Sequence, residues 1–77
     1  MIDAYVLIQT EIGRQLPVAT ALSEMPGVTQ AVVVTGPYDV IARISAADVD
    51  ALGSLIITKI QSVDGVVRTL TSPIVHI

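Results

Sequence analysis

Cysteine, phenylalanine and tryptophan are absent from this sequence, and so is asparagine. Without cysteine there is neither a disulfide framework nor a thiolate nucleophile. The single histidine, His76, stands next to the last residue and lacks the companions that a metal site or a positioned acid–base pair requires. The sequence therefore predicts no catalytic residue, no metal site and no cofactor, and it predicts that His76 lies on the surface.

Charged residues and long hydrophobic runs are also scarce. Only 14% of the residues are charged, the net charge is -3, and the four cations are scattered along the chain. Binding to nucleic acid needs clustered cations, so we expect no direct contact with nucleic acid. The longest apolar runs are far shorter than the roughly 20 residues of a spanning helix, and the N-terminus lacks a secretory signal. We expect no membrane segment and a cytoplasmic location.

Aliphatic residues dominate what is present. The chain has 77 residues, of which 52% are hydrophobic, and its mean hydropathy is +0.75. This length predicts a single domain over residues 1–77, and a domain of that size leaves much of its surface exposed. So apolar a surface is typical of an interface, and we therefore expect an obligate oligomer.

Apolar periodicity and Gly-Pro punctuation predict alternating strands and helices. The predicted elements are β-strands at Ala4–Thr10, Val28–Thr35, Tyr38–Ser45 and Val66–Thr71, with one helix from Arg14 to Met25 and a second that follows the segment Ser45–Asp48 and runs to about Gln61. An apolar tail, Ile74–Ile77, follows.

Both predicted helices have one apolar face. The buried faces are predicted to consist of Leu16, Ala19, Leu22 and Met25 in the first helix and Val49, Leu52, Ile56 and Ile60 in the second. The segment Ser45–Asp48 has the spacing of a capping box at the start of the second helix. Gly53 within that helix indicates a close approach of another element.

The two halves of the sequence repeat at an offset of 38 residues. Met25-Pro26-Gly27-Val28 aligns with Val63-Asp64-Gly65-Val66, and the turn at Gly36-Pro37 joins the halves. Two β-α-β halves predict an α+β, ferredoxin-like βαββαβ fold. It has a four-stranded antiparallel sheet with both helices on one face. Five apolar residues occupy strand positions where a solvated sheet face would be polar, which indicates packing of the sheet against another subunit. These are Tyr5, Leu7, Val32, Val34 and Ile41.

The order of elements, with Leu22–Val28, Thr35-Gly36-Pro37-Tyr38-Asp39-Val40 and Asp64-Gly65-Val66, resembles the C-terminal effector-binding (RAM) domain of the Lrp/AsnC family. The resemblance covers nearly the whole chain, and no helix-turn-helix is visible, so the chain looks like a stand-alone RAM protein. The resemblance implies dimers formed through the sheets, as in dimeric α+β barrels. It also implies rings of dimers, with an amino acid or similar effector bound between neighbouring dimers.

The connection Thr35–Asp39 holds the best candidates for a ligand site. The resemblance implies that Thr35, Gly36, Tyr38 and Asp39 contribute to the effector site, where the Asp39 carboxylate would receive an ammonium group. Asp39 is equally suited to cap its own turn. Gly36 suits a positive φ angle, and Tyr38 suits a contact between subunits.

The last strand supplies further candidates. The resemblance implies that Thr69, Thr71 and Ser72 reach a site on a neighbouring dimer, although exposed threonines are ordinary on strands. Arg43 or Arg68 would pair with a ligand carboxylate or with a cross-strand acid.

Three functions are consistent with the sequence. The first is a non-catalytic amino-acid-binding regulatory module that works as an oligomer. The second is a small dimeric α+β-barrel enzyme, such as a monooxygenase or isomerase, on the same fold. The third is an assembly partner of full-length Lrp/AsnC regulators that has no ligand of its own. The first hypothesis predicts that Asp39→Ala weakens effector binding, and the predicted strand implies that Val33→Asp prevents folding.

Overall fold

The computed structural model describes residues 1–76, and in that range the chain forms four strands and two helices in the order β-α-β-β-α-β. Ile77, the end of the predicted tail, lies outside the described residues. The elements are β1 (Ile2–Thr10), α1 (Gln15–Ser23), β2 (Val28–Val33), β3 (Val40–Ala46), α2 (Val49–Ser54) with a π-helical continuation (Leu55–Ile60), and β4 (Val66–Pro73).

The four strands form one antiparallel sheet in the order β2-β3-β1-β4. Alternate residues of the central strands β1 and β3 face the helices and are fully buried, whereas their neighbours along each strand are not. The predicted ferredoxin-like fold is confirmed. The buried core consists of Ala4, Val6, Ile8, Val18, Ala19, Leu22, Val40, Ala42, Ile44, Leu52, Leu55, Ile56 and Ile60.

The internal repeat reappears as two equivalent turns. Gly27 and Gly65 have φ angles of +92° and +98°, which side chains rarely tolerate. In the first turn the Val28 N–H donates to the Met25 carbonyl at 3.2 Å, and in the second the Val66 N–H donates to the Val63 carbonyl at 3.1 Å. Each turn redirects the chain from a helix into the next strand, so the repeat seen in the sequence is a repeat of structure.

Gly27→Ala is expected to destabilise the fold, and Gly53→Ala to stabilise it. A Cβ on Gly27 would lie 2.9 Å from Leu55 Cδ2 in addition to the strain of a positive φ angle. We expect a loss of about 2 kcal/mol in the free energy of unfolding. Gly53 is helical and no atom lies within 4 Å of an added Cβ, so alanine should add about 1 kcal/mol. Urea denaturation at one protein concentration measures both, and a shift of equal sign in the two variants would contradict this assignment.

The second helix departs from the sequence prediction in three ways. Asp48, not Ser45, is its N-cap, and Asp48 Oδ1 accepts the Ala51 N–H at 2.8 Å. Val49 is 69% exposed, so its place in the buried face was wrong. The predicted close approach at Gly53 is wrong as well, because nothing contacts that position. The π-helical turn, with the Gln61 N–H donating to the Ile56 carbonyl at 3.0 Å, places both Leu55 and Ile56 in the core.

Other boundaries differ from the prediction by one or two residues at most. The helix α1 is shorter at both ends, and Leu16 is 70% exposed although it was assigned to the buried face. The strand β2 ends earlier than predicted and β3 begins later, so their connection spans six residues, Val34–Asp39. Val33 lies on the edge strand and is 46% exposed. The premise that a charge at residue 33 would be buried within the sheet was therefore wrong.

Candidate functional site

The connection Val34–Asp39 is anchored at both ends. The Val34 N–H donates to the Asp39 carbonyl at 2.9 Å, and the Asp39 N–H donates to the Ile8 carbonyl at 2.9 Å. In the middle, Gln9 Nε2 donates to the Pro37 carbonyl at 3.0 Å. These bonds hold an exposed connection against the end of β1, so the backbone between the anchors is presented on a fixed frame.

Asp39 ties the connection to β1 through its side chain as well. Its Oδ2 accepts the Thr10 backbone N–H at 2.8 Å, in a partly buried position. Ile8 pairs with Val40, and Thr10 lies two residues further along β1, where β3 no longer continues. The carboxylate thus replaces a backbone carbonyl at the end of the ladder. This long-range contact differs from the cap within its own turn that was the structural alternative for Asp39.

Three backbone donors of the connection remain available. Gly36 has a φ angle of +137°, and no atom lies within 4 Å of a Cβ built on it. Among the described residues, the N–H groups of Thr35, Gly36 and Tyr38 have no protein acceptor. In the same range, Asp39 Oδ1 accepts no hydrogen bond from the protein. Amide donors suit a carboxylate, and a free carboxylate oxygen suits an ammonium group. The connection therefore offers free donors and a free acceptor of the two kinds that the charged groups of a zwitterion would need.

The candidates on β4 lie apart from this connection within one subunit, because β1 lies between β3 and β4. Thr69 and Thr71 pair with the buried residues Ile8 and Val6 and so face the helices. Thr69 Oγ1 already accepts a hydrogen bond from Gln61 Nε2 at 3.0 Å. Ser72 is exposed on the opposite side. A single subunit does not bring the predicted residues of β4 and of the connection together.

The outer face of the sheet, the side away from the helices, is apolar across its middle. Val32 pairs with Ile41, Ile41 with Leu7, and Leu7 with Leu70. This apolar row crosses all four strands, and its two end residues are 39% and 50% exposed. Beside it, the Arg43 guanidinium lies 5.7 Å from the centroid of the Tyr5 ring, a cation–π contact. The predicted second apolar face is present, with Leu70 as a member that the sequence analysis missed.

The remaining charges are dispersed. Arg14 pairs with Asp64 at 2.6 Å, and His76 is an exposed residue that lies 3.7 Å from Asp3. Lys59 and Arg68 have no acidic partner within residues 1–76. In the same range no cluster of potential metal ligands occurs, and no helix is long and apolar enough to cross a membrane.

Three shallow cavities of about 300 to 390 Å³ lie elsewhere on the surface. The first lies beside β4 and is lined by Arg68 and Thr69 among others, and the second is lined by Gly27, Ser45 and Leu55 among others. The third runs between α1 and β2. None of them is lined by Thr35–Asp39. A ligand on the connection would therefore be enclosed only if a second subunit covered it.

Sequence analysis missed two residues that shape the connection, Gln9 and Thr10. They are separated from their partners Pro37 and Asp39 by 28 and 29 residues. Neither residue type signals such a contact, since glutamine and threonine are unremarkable at the end of a strand. The signal was indirect: in the ferredoxin-like fold β1 pairs antiparallel with β3, which places the end of β1 beside the start of β3.

These features define a ferredoxin-like α+β domain with an open apolar sheet face and a polar, anchored connection between two of its strands. The profile of the Lrp/AsnC ligand binding domain matches residues 3–77, and the chain belongs to that family.

Relatives of this chain include regulators and solved structures. An uncharacterized HTH-type transcriptional regulator of Pyrococcus furiosus is 31% identical over 71 residues, which are 88% of this chain and 47% of the regulator. This chain thus spans about half the length of that curated relative. The structure of TTHA0845 from Thermus thermophilus is 36% identical with a TM-score of 0.93, covering 100% of this chain and 96% of that one.

The fold is shared more widely. The transcriptional regulator NMB0573 of Neisseria meningitidis, solved as a complex with L-Met, has a TM-score of 0.85 at 16% identity. The match covers 97% of this chain and 50% of that one. At this identity the likeness concerns the fold alone.

Proposed function

We propose that this chain is a non-catalytic regulatory module that binds an amino acid or a similar small effector and works as an oligomer. Given that the chain belongs to the Lrp/AsnC family, one observation supports the proposal most strongly. The connection Val34–Asp39 is rigidly anchored, yet it leaves three amide donors and one carboxylate oxygen unpaired among the described residues. An α-amino acid has the complementary charges, a carboxylate and an ammonium group, a few ångströms apart.

The proposed site is completed by assembly. Most of the connection is exposed in one subunit and it lines none of the three cavities described above, whereas small-molecule sites bury most of their ligand. We propose that subunits pair through the apolar row of the outer face and that such dimers form a ring. Thr69, Thr71 or Ser72 of a neighbouring dimer would then approach the connection. An effector that prefers one arrangement of subunits would shift the assembly toward it.

Direct binding to DNA is not part of the proposal. Two of the four cations are engaged by Asp64 and by the Tyr5 ring, and Lys59 and Arg68 do not form a cluster with them. Regulation would act through a full-length Lrp/AsnC regulator that co-assembles with this chain, or through the ligand-dependent assembly itself.

Calorimetry and thermal shift against a panel of amino acids test the proposal. The panel includes methionine, because L-Met is bound to the Neisseria meningitidis regulator. We expect at least one amino acid to bind the assembled protein at or below millimolar concentration, which corresponds to about 4 kcal/mol or more of binding free energy. If none binds at that concentration while a full-length family regulator is still captured in a pull-down, the chain is an assembly partner without a ligand.

A further inference from the structure

The middle of the connection, residues 35–38, is held by a single side chain. The backbone bonds of Val34 and Asp39 fix its two ends. Among the described residues, the backbone groups between these ends form one hydrogen bond, which the Pro37 carbonyl accepts from Gln9 Nε2 at 3.0 Å. The orientation of the peptide units in this stretch therefore depends on Gln9.

Gln9 reaches the connection from the outer face of the sheet. Ile8 is fully buried against the helices, and consecutive side chains of a strand point to opposite faces. Gln9 therefore lies on the same face as Leu7, and it is partly exposed. Its partner across the ladder on β4 is Arg68, whose side chain offers donors and no acceptor. The Gln9 NH₂ group thus bonds to the connection and not to this neighbour.

The same bond fixes the direction of the Tyr38 N–H. The Pro37 carbonyl and the Tyr38 N–H belong to one peptide unit, which is trans. In a planar trans unit the C=O and N–H bonds point in opposite directions. Because the carbonyl points toward Gln9, the Tyr38 N–H points away from Gln9, and no described protein group accepts it. The contact with Gln9 therefore presents a free donor on the opposite side of the connection.

The three free donors of the connection differ in this respect. Among the described residues, no hydrogen bond holds the peptide units that carry the N–H groups of Thr35 and Gly36. The Tyr38 N–H is thus the donor whose direction is set before a ligand arrives. A group that is already oriented loses less conformational freedom when a ligand binds to it.

We infer that Gln9 is a positioning residue of the proposed effector site. It does not touch the effector, and it holds the Pro37–Tyr38 peptide unit so that the Tyr38 N–H is directed at the effector's carboxylate. The inference rests on the proposed function, because it assigns Gln9 a role in that same site. It adds a residue of β1, distant in sequence from the connection, to the groups on which binding depends.

Gln9→Met tests the orienting contact in the absence of an effector. Methionine has nearly the length of glutamine and no N–H donor, so it removes the bond to the Pro37 carbonyl. We expect the NMR order parameter of the Tyr38 N–H, about 0.85 in a rigid backbone, to fall below about 0.6. The N–H groups of Val34 and Asp39 should stay rigid because their acceptors remain. A Tyr38 N–H as ordered in the variant as in the wild type would overturn the inference.

Gln61→Met is the matched control for this measurement. The Gln61 side chain also donates one hydrogen bond of 3.0 Å, in this case to Thr69 Oγ1, on the helix side of the sheet. The substitution is therefore the same in kind and in the bond that it removes. We expect the order parameter of the Tyr38 N–H to keep its wild-type value in Gln61→Met. A loss of order at Tyr38 in both variants would mean that Gln9 has no specific role, and would also overturn the inference.

Calorimetry with the amino-acid panel, L-methionine included, tests the role of Gln9 in binding. For an amino acid that binds the wild type, we expect the dissociation constant to rise about fivefold or more in Gln9→Met, as the loss of one hydrogen bond implies. Gln9→His at about pH 8 retains a neutral Nε2–H donor and should restore most of the affinity. A role of Gln9 in packing alone would not predict this recovery.

The outcomes separate the inference from the proposed function. If an amino acid binds the wild type and Gln9→Met equally tightly, Gln9 does not position the site, while the proposed function stands. If no amino acid binds the wild type at millimolar concentration, the proposed function fails, and the role of Gln9 toward an effector fails with it.

Discussion

Replacing Leu70 with aspartate is expected to separate the subunits that we propose to pair through the outer face. Leu70 ends the apolar row on β4 and is 50% exposed in one subunit, so the isolated fold tolerates a polar residue there. A two-fold contact contains residue 70 twice. Each substitution loses about 1.5 kcal/mol or more of the free energy gained by burying leucine, and it also requires a charge to be desolvated. The dissociation constant should therefore rise roughly a hundredfold or more.

Sedimentation velocity distinguishes the remaining species. We expect the Leu70→Asp protein to sediment as a smaller species than the wild type at the same protein concentration. Ile57→Asp is the matched control, because Ile57 is 67% exposed on the π-helical segment, on the other side of the sheet. A Leu70→Asp protein with the wild-type mass would show that the outer face is not an interface.

Asp39→Ala is expected to reduce the stability of the subunit and to abolish effector binding. The variant leaves the Thr10 N–H without its acceptor and frees the connection from the end of β1. A lost hydrogen bond to a charged group costs about 2 kcal/mol. The sequence alone predicted that Asp39→Ala weakens effector binding while the fold stays intact. The contact with Thr10 adds a loss of stability to that expectation, measurable by urea denaturation.

Asp39→Asn separates the two roles of this residue. The asparagine carbonyl oxygen still accepts the Thr10 N–H, so we expect most of the stability to return. Its NH₂ group replaces the free oxygen and cannot receive an ammonium group. Calorimetry should then show weak binding in a stable protein. An Asp39→Asn variant that binds as tightly as the wild type would mean that the carboxylate only positions the connection.

The fold was predictable because its signals are local and repeated. The Pro-Gly and Asp-Gly turns before Val28 and Val66 fix two β-α-β halves, and two such halves leave few alternative topologies. The sequence analysis did not assign the buried residues of β1 and β3, because apolar residues occupy both faces of these strands. Helix faces were harder to assign, because Leu16 and Val49 lie in first turns where apolar residues continue the helical spacing yet point away from the sheet.

The candidate site was only partly predictable. The polar connection stood out because it interrupts two apolar runs. The acceptor role of the Asp39 side chain toward Thr10 could not be predicted, since it depends on how far β1 extends beyond β3. The π-helical turn was likewise invisible, because Leu55 and Ile56 are both apolar and either fits an ordinary helical face. Whether β4 joins the site depends on contacts between subunits, which no residue pattern within one chain specifies.

The backbone amide spectrum of the assembled protein during titration with the amino-acid panel tests the central claim most directly. The proposal predicts that an effector at millimolar concentration shifts the amide resonances of Thr35, Gly36 and Tyr38, whose N–H groups are free of protein acceptors within the described residues. Ala51 and Gln61, which lie at the helix termini, should keep their positions. Resonances of the connection that stay unchanged with every amino acid would contradict the proposal.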